Sequence, residues 1–180
     1  MNKKKKTSKK IGVLGGTFDP PHIGHLEISK FAIKKLNLSL LIWAVTKKNP
    51  LKKLPYIKLK KRILLSKKIV GKIRKIKVKS FDKLIKSSKT IKLVEYIKKN
   101  NSDSKIFFLM GSDNLLKFHK WDDWKKIPEI CKVVIFPRTG YIKKTSTSEV
   151  LKILGRKNII FVKSKRINIS SSKIRKNYLK

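Results

Sequence analysis

Short apolar runs rich in Ile, Val and Phe alternate along this chain with longer stretches in which apolar residues recur every three or four positions. The short runs are Lys10–Gly15, Leu40–Val45, Ile73–Lys79, Lys105–Met110, Val133–Phe136 and Ile159–Val162. Their length and β-branched content predict strands. The longer stretches, His25–Leu36, Ile57–Val70, Thr90–Asn100, Trp121–Ile127, Ser146–Leu154 and Ser171–Tyr178, predict helices. In the second of these, Ile57, Leu59, Ile63, Leu64, Ile69 and Val70 carry the helical spacing and lysines fill the other face. Strand alternating with helix predicts a doubly wound α/β domain, its sheet mainly parallel and its helices on both faces. No internal repeat or long linker divides it. A single domain is expected over residues 11–180, behind a disordered basic tail at residues 1–10. Asn49–Pro55 and Lys83–Lys89 are expected to be loops, the former a lid or substrate loop.

Composition narrows the class. With 180 residues, 40% of them hydrophobic, the chain is long enough to bury about 70% of its unfolded surface in one core. Lys and Arg number 49 against 10 acidic residues, giving a formal charge of +39. Only six of the basic residues are Arg, and lysines are spread through nearly every segment. A specific nucleic-acid site favours the planar fork of Arg. The charge is therefore read as a bias toward Lys, Ile, Asn and Ser, as an AT-rich coding sequence produces. No specific nucleic-acid partner is expected, although non-specific attraction to polyanions follows from the charge alone. The lone Cys131 excludes an internal disulfide, fits a reducing cytoplasm, and sits beside an apolar run as a buried inert thiol would. No apolar run approaches 18 residues and no signal-type stretch follows the tail, so no membrane partner is expected and the location is read as cytoplasmic.

Chemistry concentrates where the first strand hands over to the first helix, in Gly15-Gly16-Thr17-Phe18-Asp19-Pro20-Pro21-His22-Ile23-Gly24-His25. That junction is where an α/β sheet binds phosphate, because helix N–H groups and the helix dipole favour anions there. Gly15 and Gly16 let backbone approach a ligand, and Thr17 offers a hydroxyl. Asp19-Pro20-Pro21 forces a turned or extended chain. His22 and His25 then place two imidazoles on one side of the first turn, with Gly24 between them. Two of the three histidines in the chain lie here, and no cysteine is near them, which favours phosphate over a metal. Near the other end, Ser171 and Ser172 begin a helix whose hydroxyls can cap it or donate to phosphate, with Arg175 three residues on.

Gly-Thr-Phe-Asp-Pro-Pro-His-Ile-Gly-His resembles the (T/S)xxHxGH signature of the nucleotidyltransferase superfamily. Further blocks resemble its nicotinate-nucleotide adenylyltransferases: Asn49-Pro50-Leu51-Lys52; Met110-Gly111-Ser112-Asp113-Asn114-Leu115 with Phe118 to Trp124; Phe136-Pro137-Arg138-Thr139-Gly140-Tyr141; and Ile169 to Arg175, similar to the ISSTxIR motif with Ser172 in place of Thr. The resemblance implies a Rossmann-like fold and transfer of adenylate from ATP to nicotinate mononucleotide, giving nicotinate adenine dinucleotide and pyrophosphate. It implies that His22, His25 and Arg175 are catalytic. ATP is expected to meet Gly15, Gly16, Thr17, Phe18, His22, Gly24, His25, Gly111, Asp113, Ser171, Ser172 and Arg175. Nicotinate mononucleotide is expected to meet Lys52, Thr90, Trp121 as a stacking platform, and Arg138. For Trp124, core packing is the expectation.

The implied chemistry suits the residues present. A phosphate oxygen is already ionised at neutral pH, so no base is needed, and catalysis reduces to aligning polyanions and offsetting charge. Mg2+ is expected to ride on the ATP phosphates, with no metal held by a protein cage. One departure stands out: the family's Tyr-Thr-x-x-Thr-Leu segment reads Lys89-Thr90-Ile91-Lys92-Leu93-Val94 here. The acid and amide mononucleotides therefore both stay open as acceptors. Phosphopantetheine adenylyl transfer and a basic RNA-binding role on the same scaffold are the other readings.

Overall fold

The computed structural model describes residues 8–138, 140–141, 145, 147–155, 157–163, 169 and 171–178. Most of the expected basic tail, together with Thr139, Ser146 and Ser170, lies outside the described residues.

Among the described residues six strands form one sheet: β1 (Lys10–Gly16), β2 (Leu40–Val45), β3 (Ile76–Lys79), β4 (Lys105–Gly111), β5 (Lys132–Phe136) and β6 (Ile159–Phe161), in the order β3-β2-β1-β4-β5-β6. The sequence predicts a mainly parallel sheet; all five pairings are parallel. Central strands buried on both faces carry apolar side chains at every position. In β4, Ile106, Phe108 and Met110 enter one core, and Phe107 and Leu109 the other. Helices α1 (Ile23–Leu36) and α2 (Leu59–Val70) cover the second face through Leu26, Phe31, Ile63 and Val70. Helices α3 (Thr90–Lys99), α5 (Ile127–Ile130) and α6 (Glu149–Leu154) cover the first through Ile91, Val94, Ile97, Ile127 and Val150. A short α4 (Ser112–Leu115) and a 3₁₀ turn (Phe118–Lys120) follow β4, and α7 (Ser171–Tyr178) ends the described chain. Cys131 is buried, and burial pushes its thiol up to about 12.

Three sequence expectations are corrected. Trp121–Lys126 is a run of turns rather than helix. Asp123 adopts a left-handed φ of 48°, which interrupts a helix, and Pro128 opens the next one at its first turn. The third strand starts at Ile76, because Gly71 at φ 58° ends α2 and the chain then turns. Leu64 sits on the lysine side of α2 and is 66% exposed. The buried face of that helix carries Arg62, Ser66 and Val70 instead.

At Gly12 the α1–β2 connection comes so close that a Cβ would lie 2.6 Å from Leu38 Cδ1 and 3.3 Å from Leu41. Gly12→Val is expected to overpack this core and lower stability by about 2 kcal/mol, or about 4–8 °C in Tm. Leu64→Ala should change stability by less than about 0.5 kcal/mol. Thermal unfolding of the two variants beside the parent checks both.

Candidate active site

In this strand order the winding reverses between β1 and β4, and the crevice outside their C-terminal ends is the place where open α/β sheets bind ligands. A cavity of about 620 Å³ lies there. Gly15 and Gly16 from β1 and Met110 and Gly111 from β4 contribute to its lining.

The loop after β1 delivers the histidines. Phe18 takes a left-handed φ of 49° and turns its ring inward, where it is 2% exposed. That ring lies 4.7 Å from the His25 ring and stacks on Trp43 at 5.0 Å. Trp43 Nε1–H donates to Ser29 Oγ at 2.7 Å, and the Ser29 hydroxyl donates to the His25 carbonyl at 2.7 Å. The first turn of α1 is thereby tied to β2. The two imidazoles lie with ring centroids 3.8 Å apart. The His22 N–H donates to His25 Nδ1 at 3.2 Å, which leaves the proton of neutral His25 on Nε2. Neither ring nitrogen of His22 has a hydrogen-bond partner among the described residues. Burial, and after it the Arg138 guanidinium, lowers the His22 imidazole to about 4. Burial followed by His22 and Arg138 holds His25 well below its ordinary value. Both rings are neutral at pH 7 and available to donate hydrogen bonds.

The cations come from three separate segments. Arg138, just past β5, donates from Nη1 to Asp113 Oδ2 at 2.9 Å, and its N–H donates to Ser112 Oγ at 2.9 Å. The remaining carboxylate oxygen, Asp113 Oδ1, is buried without a partner among the described residues. A Cβ at Gly111 would overlap that oxygen, so the glycine makes room for the Asp113–Arg138 pair. Asp113 lies in the first turn of α4, where no side-chain cap bond forms, and it serves the arginine. Lys52, from the loop after β2, is lowered by burial, opposed by Asp113, and lowered further by Arg138, Lys117 and Arg175. This is a site short of anions.

Arg175 arrives on α7. Ser171 Oγ–H donates to the Pro20 carbonyl at 2.8 Å, and Arg175 Nη1 donates to the Asp19 carbonyl. The guanidinium also lies 3.6 Å from Asp19 Oδ2 and 5.4 Å above the Tyr56 ring, and it donates to Ser172 Oγ at 3.2 Å. Ser171 thus docks α7 onto the loop that carries the histidines.

Another part of the lining belongs to Thr90, at the start of α3, and to Trp121, which packs edge-on against Phe118 at 5.3 Å and Phe108 at 6.1 Å. Lys89 Nζ pairs with Asp122 at 2.9 Å and joins these two segments. Trp124 packs on Phe118 and does not line the cavity. Gly15, Gly16, Thr17, His22, His25, Lys52, Thr90, Gly111, Asp113, Trp121, Arg138, Ser171, Ser172 and Arg175 all line one space. Two expected ATP contacts do not: Phe18 lies beneath His25, and Gly24 is buried within α1. A Cβ at Gly15 would come within 3.2 Å of the Phe108 ring. Sequence reasoning missed Asp19, Tyr56, Arg62 and Asp82. Asp19 is 3% exposed and accepts the N–H groups of Tyr56 and Ile57, each at 3.0 Å.

The Cytidylyltransferase-like family model matches residues 13–177. A probable nicotinate-nucleotide adenylyltransferase of Pelagibacter ubique is 47% identical over 98% of this chain and 96% of its own. The chain belongs to this nicotinate-nucleotide adenylyltransferase family. A probable member from Agrobacterium fabrum is 31% identical over 93% of this chain and 98% of its own. The nicotinic acid mononucleotide adenylyltransferase of Plasmodium falciparum, solved with NaAD, shares the fold at a TM-score of 0.74 and 22% identity, over 93% of this chain and 83% of that one. As a family member the chain is a nucleotidyltransferase.

The histidines make stability depend on pH. An unfolded His binds its proton near 6.5, whereas buried His22 does so only near 4. Acid therefore favours the unfolded chain. The stability conferred by neutral His22 is complete above pH 6.5 and falls as pH drops toward 4, by about 3 kcal/mol for this residue. Melting curves from pH 7.5 to 4 should show the decline. His22→Gln should flatten it, and an unchanged slope would contradict the burial of a neutral imidazole.

Proposed function

We propose that the chain transfers the adenylyl group of ATP to nicotinate mononucleotide, forming nicotinate adenine dinucleotide and pyrophosphate for NAD synthesis. The observation that carries this reading is the placement of two neutral imidazoles and three cations from distant segments around one cavity at the sheet's switch point. Family membership supports the same reaction.

In this reading a phosphate oxygen of the mononucleotide attacks the α-phosphorus of ATP. The bond from that phosphorus to the α–β bridging oxygen breaks, and the electron pair leaves with pyrophosphate. The nucleophile is already an anion, so the histidines need accept no proton. His25 Nε2–H and a ring N–H of His22 donate to oxygens around the bridge, where leaving-group charge grows. Burial makes such donors effective, because no water competes with them. Arg175 is assigned to the triphosphate, with Thr17, Gly15, Gly16, Ser171 and Ser172 around it. Phe18 and Gly24 act indirectly, by holding His25 and the first turn of α1. Asp113 is assigned to ATP, and its partner Arg138, with Lys52, to the mononucleotide.

Mg2+ brought by the ATP phosphates would neutralise further charge when bound. Among the described residues no three His, Cys, Asp or Glu side chains cluster to hold a metal. Among the described residues Asp113 Oδ1 is buried without a partner, and it would be a protein ligand for a phosphate-borne cation. The cation would thus be shared with substrate rather than caged by protein.

The acceptor is read from α3 and Trp121. Among the described residues no side chain caps the N-terminus of α3, and its first turn contains no acidic residue. An uncapped helix N-terminus favours a carboxylate over an uncharged amide. We therefore assign the acid mononucleotide, with its ring on Trp121 and its carboxylate near Thr90. The reaction is placed in the cytoplasm, the compartment that suits the lone reduced thiol of Cys131. Among the described residues no helix is long and apolar enough to cross a membrane.

Assays with ATP and each mononucleotide should give turnover of the acid at least about tenfold above the amide, a difference of about 1.4 kcal/mol. Equal turnover would remove the role given to α3. His22→Ala and His25→Ala should each lower kcat by about 100-fold or more, with circular dichroism unchanged. Trp121→Ala should raise KM for the mononucleotide and leave that for ATP nearly untouched.

A further inference from the structure

Arg62 is the one arginine on the buried face of α2, and it is 1% exposed. A buried guanidinium normally meets a carboxylate. Here all the hydrogen bonds the structure gives it end on backbone carbonyls. Nε–H donates to Ile57 O at 2.8 Å, Nη1 to Thr46 O at 2.8 Å and to Thr17 O, and Nη2 to Lys47 O at 3.0 Å. These carbonyls are not scattered. Thr46 and Lys47 begin the loop that carries Lys52, Ile57 ends it, and Thr17 belongs to the loop that leads to the histidines.

Two carboxylates hold the same segments from the other side. Asp82 Oδ2 accepts Lys47 N–H at 2.7 Å, Thr46 Oγ1–H at 2.9 Å and Ser88 Oγ–H at 2.6 Å. Asp19 accepts the N–H groups of Tyr56 and Ile57. At each end of the loop the cation therefore takes carbonyls and an anion takes N–H groups. Between the ends, Leu51, Leu54 and Tyr56 are exposed, at 42%, 76% and 66%. The span itself contributes little to the core, so its shape depends on how its ends are fixed.

We propose that Arg62 is a positioning residue for the reaction: one guanidinium pins both ends of the Lys52 loop and ties them to the histidine loop. It touches no substrate, since it does not line the cavity. Its effect passes through the placement of Lys52 and Thr17. A lysine in its place has one ammonium and cannot reach four carbonyls in three segments. The role of Lys52 rests on the adenylyl-transfer reading; the pinning of the loop does not.

Hydrogen exchange and kinetics on the full chain separate the two. In Arg62→Met and Arg62→Lys, amides of residues 46–57 should exchange at least about tenfold faster, while those of β1 and β4 keep the parent rate. Should Arg62→Met fail to fold, Arg62→Lys decides. In either variant kcat for adenylyl transfer should fall by about 100-fold, the effect of a small misplacement of reacting groups. Lys52→Ala should cost about tenfold in the parent but less than about twofold on top of Arg62→Met, because Lys52 is already misplaced there. The proposal is overturned by unchanged exchange in 46–57, by exchange that rises equally across the sheet, or by Lys52→Ala costing the same in both backgrounds. A parent without adenylyl transfer would remove the functional reading, and the exchange experiment would still decide whether Arg62 pins the loop.

Discussion

The arrangement depends on β1 and β4 lying side by side with their chains leaving toward opposite faces. Both strands are apolar on each side, so neither can sit at a wet edge, and parallel pairing requires a crossover for every connection. Placing them together at the centre lets α1 cover one face and α3 with α5 the other. Neither layer covers the C-terminal ends of the pair. The cavity is the gap that this winding leaves, and side chains from several distant segments reach it because their loops all leave from the same edge. Even the glycines serve this closeness. Gly15 clears Phe108 and Gly111 clears Asp113, so both let protein groups meet across the strand ends.

A gap bounded by loops has no shape of its own, and here charged side chains, Asp19 and Arg62 buried and Asp82 half-buried, supply it. Asp19, Arg62 and Asp82 each grip backbone, and each joins segments far apart in sequence. Their energetics differ from those of Glu27–Lys30 or Glu95–Lys92, which are exposed i,i+3 pairs of little worth. A buried charge left without its partners costs several kcal/mol. The loop positions that satisfy Arg62 are therefore strongly preferred over those that strand it. That preference orders a segment whose own apolar side chains point to solvent.

How much of this was legible depends on the kind of signal. The strand Leu40–Val45 and the helix Ser171–Tyr178 begin and end where hydrophobic periodicity places them. Trp121–Lys126 failed because periodicity cannot register one left-handed residue at Asp123. The histidine pair was legible, being a local constellation at a strand-to-helix junction. The separation of Phe18 and Gly24 from the cavity was not, since a motif names its members without saying which face ligand and which face core. Asp19 was read as part of a proline turn, because its partners Tyr56, Ile57 and Arg175 are distant in sequence. Arg62 was hidden among lysines on an amphipathic helix. A faint signal existed: Arg62, Ser66 and Val70 repeat at four-residue spacing, a stripe that only a buried face requires.

The lysine-rich composition makes the arginines informative. Of those among the described residues, Arg74 is exposed, while Arg62, Arg138 and Arg175 brace or line the cavity. Arg62 spans carbonyls from three segments, Arg138 joins Asp113 while its second nitrogen faces Ile169 O, and Arg175 bridges Asp19 and Ser172. Each task needs several donors at fixed angles, which a guanidinium has and an ammonium lacks. Burial chiefly keeps the histidines neutral, and Arg138 adds its opposition to a charge on either ring. A triphosphate entering this site would relieve that opposition and strengthen both donors at the place where its own charge must be met. Surface lysines cannot do this. Solvent screens them, and +39 spread over an exterior raises the local concentration of polyanions without orienting one.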